Sequence, residues 1–216
     1  LWYESERTIL IKHEAYSYKM PEMAEPPKWI YLSSLGEGTV PYQMSIVEYV
    51  KANGVKMAFQ PGTFQIKQGA EALKPLYENA EIVFCNKEEA QTILKSKETD
   101  IKALLTGMKG LGVKNMVITD GRDGAYAMDV HGASWHIPMY PDPKPPVERT
   151  GAGDATASTT GAYLLKGLSL DEAVMRGMIN SAYVVQEIGA QKGLLSPDKI
   201  EELYAARPAD YKATAL

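Results

Sequence analysis

The residues Gly151-Ala152-Gly153-Asp154 have types and a spacing that can do chemistry. Three small residues ahead of Ala155-Thr156-Ala157-Ser158 and an apolar run leave backbone N–H groups uncovered at a helix start, where the partial positive charge favours an anion. The next side chain is a carboxylate. A phosphate-sized anion on those N–H groups would sit beside a potential general base, as phosphoryl transfer to a hydroxyl requires. The same pattern also suits a tight strand-to-helix turn with Asp154 in the first turn for dipole reasons alone.

The elements that must position this loop follow from periodicity. Trp29 to Ser33, Val55 to Phe59, Glu81 to Cys85 and Val113 to Thr119 are short apolar runs that predict strands. Between them, helices are predicted over Tyr42 to Asn53, ended by Gly54; around Leu73, Leu76 and Tyr77; over Lys87 to Lys95; and over Ile101 to Leu111, capped by Asp100. This alternation predicts an α/β fold, a doubly wound, mostly parallel sheet covered by helices on both faces, with ligands bound where the strands end. Ser33-Ser34, Gln60-Pro61-Gly62, Asn86-Lys87-Glu88-Glu89 and Thr119-Asp120-Gly121 stand at those ends. A hairpin is predicted from Gly124 to Asp129 and Ala133 to Ile137, then a Pro-rich connection into the Gly151 loop. Helices follow over Ala152 to Lys166, after a Ser169/Glu172 capping box, and from Ser196-Pro197; the tail after Arg207 reads as frayed.

Composition narrows the function classes. The chain has 216 residues, 45% of them hydrophobic, enough for one substantial core. A formal net charge of -4, with no Lys/Arg run interleaved with aromatics, argues against a nucleic-acid partner. The single Cys85 excludes an internal disulfide or a multi-Cys zinc cluster and makes the cytoplasm the default; at a strand end it reads as a small buried hydrophobe. No apolar run reaches membrane-spanning length and no charged leader opens the chain, so a soluble protein with no membrane partner is expected. His13, His131 and His136 lack metal-ligand spacing. Thr8 to Tyr16 is a β-branched and apolar run that predicts a strand, and Pro21 to Pro27 breaks the pattern before the next unit.

Four blocks carry a resemblance: Asn86-Lys87-Glu88-Glu89, Thr119-Asp120-Gly121, Arg149-Thr150-Gly151-Ala152-Gly153-Asp154, and the stretch from Asn180 to Gly189-Ala190. In order and rough spacing they resemble the ribokinase-like carbohydrate kinases of the PfkB type, over about Thr8 to Tyr204. The resemblance implies a three-layer ribokinase-like fold and ATP-dependent phosphorylation of a small sugar, or alternatively of a nucleoside. It implies Asp154 as general base, with the N–H groups of Gly151, Ala152 and Gly153 as the anion hole. Asn86 and Glu89 would order magnesium and its waters, and Thr119, Gly121 and Thr150 would bind the nucleotide. Asn180 would lie near its adenine or ribose, and Gly189 and Ala190 would close over it.

Several of these residues keep a structural reading. Asn86 before a Glu-rich first turn suits a helix cap, Thr119 to Gly124 an ordinary turn, and Asn180 packing within a helix. Arg149 suits either a phosphate or a carboxylate partner. Glu148 stands where the family usually has Asp in a stretch that supports a monovalent cation, so potassium dependence is open; Thr156 replaces a usual Phe, and Thr159 a smaller residue. Residues 1–20 are expected to form a lid-like β segment and 21–216 the α/β nucleotide-binding and catalytic domain. The family's N-terminal portion that grips the sugar has no counterpart in this sequence, so the expectation is a truncated chain, a leading segment outside this sequence, or a partner that supplies the portion. The apolar lid strand implies either a homodimer or an unsatisfied sheet edge. A nucleotide-binding module without activity is a further alternative. A dinucleotide-dependent oxidoreductase is disfavoured by the lack of G-x-G-x-x-G after the first strand.

Overall fold

The computed structural model describes the backbone of Trp2, Tyr3, Glu6 and Arg7, and in full Lys12, Glu14 and residues 16–216. Most of the expected lid strand, Thr8 to Ile11 with His13 and Ala15, lies outside the described residues. The described N-terminal residues form a short antiparallel pair, β1 (Trp2–Tyr3) and β2 (Glu6–Arg7), with Trp2 opposite Arg7.

The chain divides into two compact units. One, Lys12–Ile118 with Met128–Gly132, alternates strands and helices: β3 (Trp29–Leu32), α1 (Val40–Asn53), β4 (Lys56–Phe59), α2 (Thr63–Gln68), α3 (Ala70–Asn79), β5 (Ile82–Asn86), α4 (Lys87–Leu94), α5 (Ile101–Gly110) and β6 (Asn115–Thr119). The strands lie in the order β3-β4-β5-β6. β3 runs parallel to β4, with Trp29 opposite Lys56, and β4 parallel to β5, with Ala58 opposite Ile82. Met57, Ala58, Phe59, Ile82 and Val83 are buried in succession, because a parallel strand covered on both faces has no solvent side. Helices α1 and α3 pack together, as do α4 and α5. The helix ends match the sequence signals: Gly54 closes α1 in the left-handed conformation at φ 63°, and the Asp100 carboxylate accepts from the Lys102 and Ala103 N–H groups.

Helix α2 was not expected, because six residues are too few to show a helical period. Its Gln65 is fully buried and organises the ends of β3 and β4. The Gln65 Oε1 accepts from the N–H groups of Gly62 at 2.8 Å and Leu35 at 3.3 Å, and its amide donates to the Ser33 carbonyl at 3.4 Å.

The second unit comprises Thr119–Ala127 and Ala133–Leu216, with β1 and β2. It holds a 3-10 turn (Gly121–Asp123), β7 (Ala125–Met128), β8 (Ser134–Ile137), α6 (Ala152–Leu165), α7 (Leu170–Val184), α8 (Pro197–Ala205) and β9 (Thr214–Ala215). Helices α6 and α7 cross closely at Gly177, where an added Cβ would lie 2.6 Å from Thr160 Oγ1 and 2.7 Å from the Thr156 carbonyl. Ser169 occupies the N-cap of α7, but its hydroxyl makes no capping bond, so the expected capping box does not form. The tail is ordered rather than frayed. Tyr211 is buried against Tyr140, its hydroxyl donates to the Met175 carbonyl at 2.6 Å, and β9 pairs antiparallel with β8, Thr214 opposite His136. Among the described residues no helix is long and apolar enough to cross a membrane.

Candidate active site

Gly151 is the N-cap of α6 in the left-handed conformation, φ 86° and ψ −2°, and no side chain caps the helix. A Cβ there would lie 2.7 Å from Ala190 Cβ and 2.8 Å from Ala190 Cα, so the Gly189-Ala190 loop packs directly on this turn and only glycine fits. On the other side Gly153 and Asp154 are exposed, and nothing lies within 4 Å of where a Gly153 Cβ would stand. The first turn of α6 therefore presents N–H groups without a side-chain cap, the Ala152 N–H resting on the Arg149 carbonyl at 3.4 Å, together with an exposed carboxylate. Its back is fixed by packing of Ala152 and Ala155 against Val184 and Val185 at the end of α7. Thr156, buried at 1% exposure, turns its hydroxyl onto the Ala152 carbonyl at 3.0 Å.

The loop ahead of the helix is tied down twice. The N–H groups of Val147 and Glu148 donate to the Val185 carbonyl at 2.8 and 3.2 Å. The Glu148 carboxylate accepts the Thr150 hydroxyl on one oxygen and, on the other, the Gly189 N–H at 3.0 Å. Thr150 thus directs its hydroxyl at Glu148. The Arg149 Nε is buried without a hydrogen-bond partner. Burial pushes the Asp142 carboxyl above its ordinary range, against the pull of the Arg149 and Arg122 guanidiniums. Of the two partners expected for Arg149, a carboxylate stands near, without a hydrogen bond from Nε.

Thr119 ends β6, and Gly121 opens the 3-10 turn at φ 54° with nothing within 4 Å of an added Cβ. The turn is braced by the Asp120 N–H to the Gly124 carbonyl at 2.9 Å and by His136 Nε2 to the Asp123 carbonyl at 2.7 Å. A carbonyl only accepts, so this contact selects the Nε2–H form of His136. Asn180, 5% exposed, donates to Thr159 Oγ1 at 2.8 Å and accepts from the Leu195 N–H at 2.9 Å, joining α6, α7 and the segment before α8.

Asn86 and Glu89 belong to the other unit. Asn86 is the N-cap of α4: its Oδ1 accepts from the Glu89 N–H at 2.8 Å, and Glu89 Oε2 accepts from the Asn86 N–H at 2.9 Å. Among the described residues no group of three or more His, Cys, Asp or Glu is arranged to hold a metal ion. One carboxylate and one amide already engaged in a capping box fit a hydrated magnesium held through water, not an all-protein cage. The neighbouring Cys85 is buried, and its thiol is pushed well up by burial and by Glu89, which leaves it unreactive.

Sequence reasoning missed Gln65 as an organiser of strand ends. The Gly62 N-cap with Gln65 three residues on is a capping-box spacing, and it was the available signal.

The model of the pfkB family of carbohydrate kinases matches residues 4–197. The chain belongs to this family. As a pfkB-family chain it is 26% identical over 202 residues to the ATP-dependent 6-phosphofructokinase of Thermoanaerobacterium thermosaccharolyticum, covering 89% of this chain and 61% of that protein. It is 29% identical over 177 residues to the cytidine kinase of Thermococcus kodakarensis, covering 79% of this chain and 62% of that one. It spans about three fifths of the length of these two relatives, at 61% and 62%. An Escherichia coli protein assigned as ribokinase II, solved with ATP and Mg2+, superposes with a TM-score of 0.70 at 21% identity, over 83% of this chain and 59% of that one. The α/β ribokinase-like fold expected from the sequence is the fold of this chain.

Proposed function

We propose that this chain carries the donor side of an ATP-dependent kinase that phosphorylates a hydroxyl of a small sugar. The observation that carries the reading is the start of α6 without a side-chain cap, where the open position at Gly153 and the exposed Asp154 stand on one helical turn.

In the proposed reaction the acceptor hydroxyl oxygen forms a bond to the γ-phosphorus as the bond to the β,γ-bridging oxygen breaks. The hydroxyl proton passes to Asp154, and ADP leaves with the electron pair of the broken bond. The N–H groups of Gly151, Ala152 and Gly153 stabilise charge on the transferred phosphoryl oxygens. Gly121, with open space above its backbone, and Thr119 approach the nucleotide phosphates, and the Gly189-Ala190 loop covers the nucleotide. Asn180 acts on that pocket through the segment it holds at Leu195. Asn86 and Glu89 would hold magnesium through its waters. Magnesium, when bound, supplies charge neutralisation to the phosphates.

A nucleoside is the second acceptor class, favoured by the 29% identity to a cytidine kinase. The test is an ATP-dependent ADP-release assay on a panel of hexoses, pentoses and nucleosides. Release that depends on one acceptor class identifies it. ATP binding without acceptor-dependent release would instead support the inactive nucleotide-binding module.

A further inference from the structure

We propose that Glu148 is a positioning residue whose carboxylate latches the anion loop to the Gly189-Ala190 loop, so that the two move as one unit around the nucleotide. The catalytic consequence rests on the kinase reading; the latch itself rests on the contacts.

Both loops turn through glycines in the left-handed region, Gly151 at φ 86° and Gly189 at φ 90°. No side chain at either glycine can hold its loop's shape, and no side chain caps α6. Glu148 supplies the cross-link. One carboxylate oxygen takes the Thr150 hydroxyl, one residue before the anion loop, and the other takes the Gly189 N–H at 3.0 Å. A carboxylate is acceptor-only and both partners are donors, so the two bonds are charge-assisted and point in a single sense. The latch is anchored in turn, because the N–H groups of Val147 and Glu148 both end on the Val185 carbonyl at the close of α7. Tension on the Gly189 side is therefore passed to the turn whose N–H groups receive the phosphoryl group.

Aspartate is one methylene too short to reach both donors. Glutamine keeps the reach but sets an NH2 against one of them. Misplacing a catalytic group by about 1 Å can cost roughly 100-fold in rate, so the latch acts on turnover without touching the reacting atoms.

The test uses the full chain and its Glu148→Ala, Glu148→Gln and Glu148→Asp variants. It measures amide exchange at Gly189, kcat and KM for ATP, and the melting temperature. The expected result is a Gly189 amide protected in wild type and losing at least about tenfold of that protection in Glu148→Ala, with kcat down roughly 10- to 100-fold. Glu148→Asp should recover part of both, and the melting temperature should move little. A structural role alone would lower the melting temperature and leave kcat of the folded protein unchanged, and that outcome overturns the proposal. Equal Gly189 exchange in wild type and Glu148→Ala also overturns it, even in an active enzyme. A wild type that transfers phosphate to no acceptor, yet loses Gly189 protection in Glu148→Ala, sinks the kinase reading and upholds the latch.

Discussion

Gly151 and Ala190 are in such close register that a single methyl group on the glycine would stand 2.7 Å from the alanine's own Cβ. With φ at 86°, a side chain at 151 meets strain from its own backbone as well as from its neighbour. Gly151→Ala is therefore expected to lower stability by about 1–2 kcal/mol from the left-handed conformation alone, and to reduce turnover more than that loss explains. Ala190→Gly in the same chain should recover little of either part, because a Cβ at 151 would still stand 2.8 Å from the Cα and 3.0 Å from the carbonyl oxygen of residue 190. Calorimetric melting of the single and double variants checks both.

Asn86 has two expected roles that substitutions can separate. Its side chain caps α4 through the Glu89 N–H at 2.8 Å, so Asn86→Ala should cost about 1 kcal/mol of stability. Asn86→Ser keeps a capping oxygen and should restore most of that. If the residue also orders magnesium waters, Asn86→Ser will still raise the Mg2+ concentration needed for half-maximal turnover. An unchanged Mg2+ requirement would leave only the cap.

Arg176 is buried between the rings of Tyr163 and Tyr204, and its Nε and Nη2 donate to the two oxygens of Glu201 at 2.7 and 3.1 Å. These bonds hold the Glu201 carboxyl below its ordinary range, and burial with the Glu201 contact lifts the Tyr163 hydroxyl to about 12. A carboxylate depressed in the folded state stabilises above its unfolded pKa and loses that stabilisation as pH falls through the folded value. Glu201→Gln should thus destabilise by about 1–2 kcal/mol at pH 7, a figure discounted for the half-exposed Glu201 side chain. The gap to wild type should close below about pH 4. Chemical denaturation across that range measures it.

The ordered tail makes a separate expectation. Ending the chain after Arg207 removes buried Tyr211, its 2.6 Å bond to the Met175 carbonyl and the β9 edge on β8. A loss of about 3 kcal/mol is expected, most of it from the aromatic side chain, with Tyr211→Phe costing about 1 kcal/mol for the hydroxyl alone. Urea melts of both variants distinguish the two contributions.

The alternating strands and helices from Trp29 to Thr119 were legible because each strand is a short apolar run and each helix ends on a visible signal, such as Gly54 or Asp100. Asp154 and its glycines were legible because a helix start without a capping side chain has a composition of its own. What escaped was non-local. Nothing in the polar tail announces that Tyr211 reaches Met175, 36 residues away, or that Thr214 pairs with His136. Six-residue α2 is shorter than two helical turns, so its period could not register, and Gln65 went unseen with it. Glu148 was visible as an unusual acid, but its hold on Gly189, 41 residues on, depends on how the loops fold together.

The role of Asp154 is tested most directly by the turnover of Asp154→Asn relative to wild type, with ATP affinity determined on the same preparations. Loss of a general base alone is expected to lower kcat by about 10²–10⁴ while ATP still binds with near wild-type affinity. Turnover equal to wild type, or turnover lost together with ATP binding, would contradict the assignment.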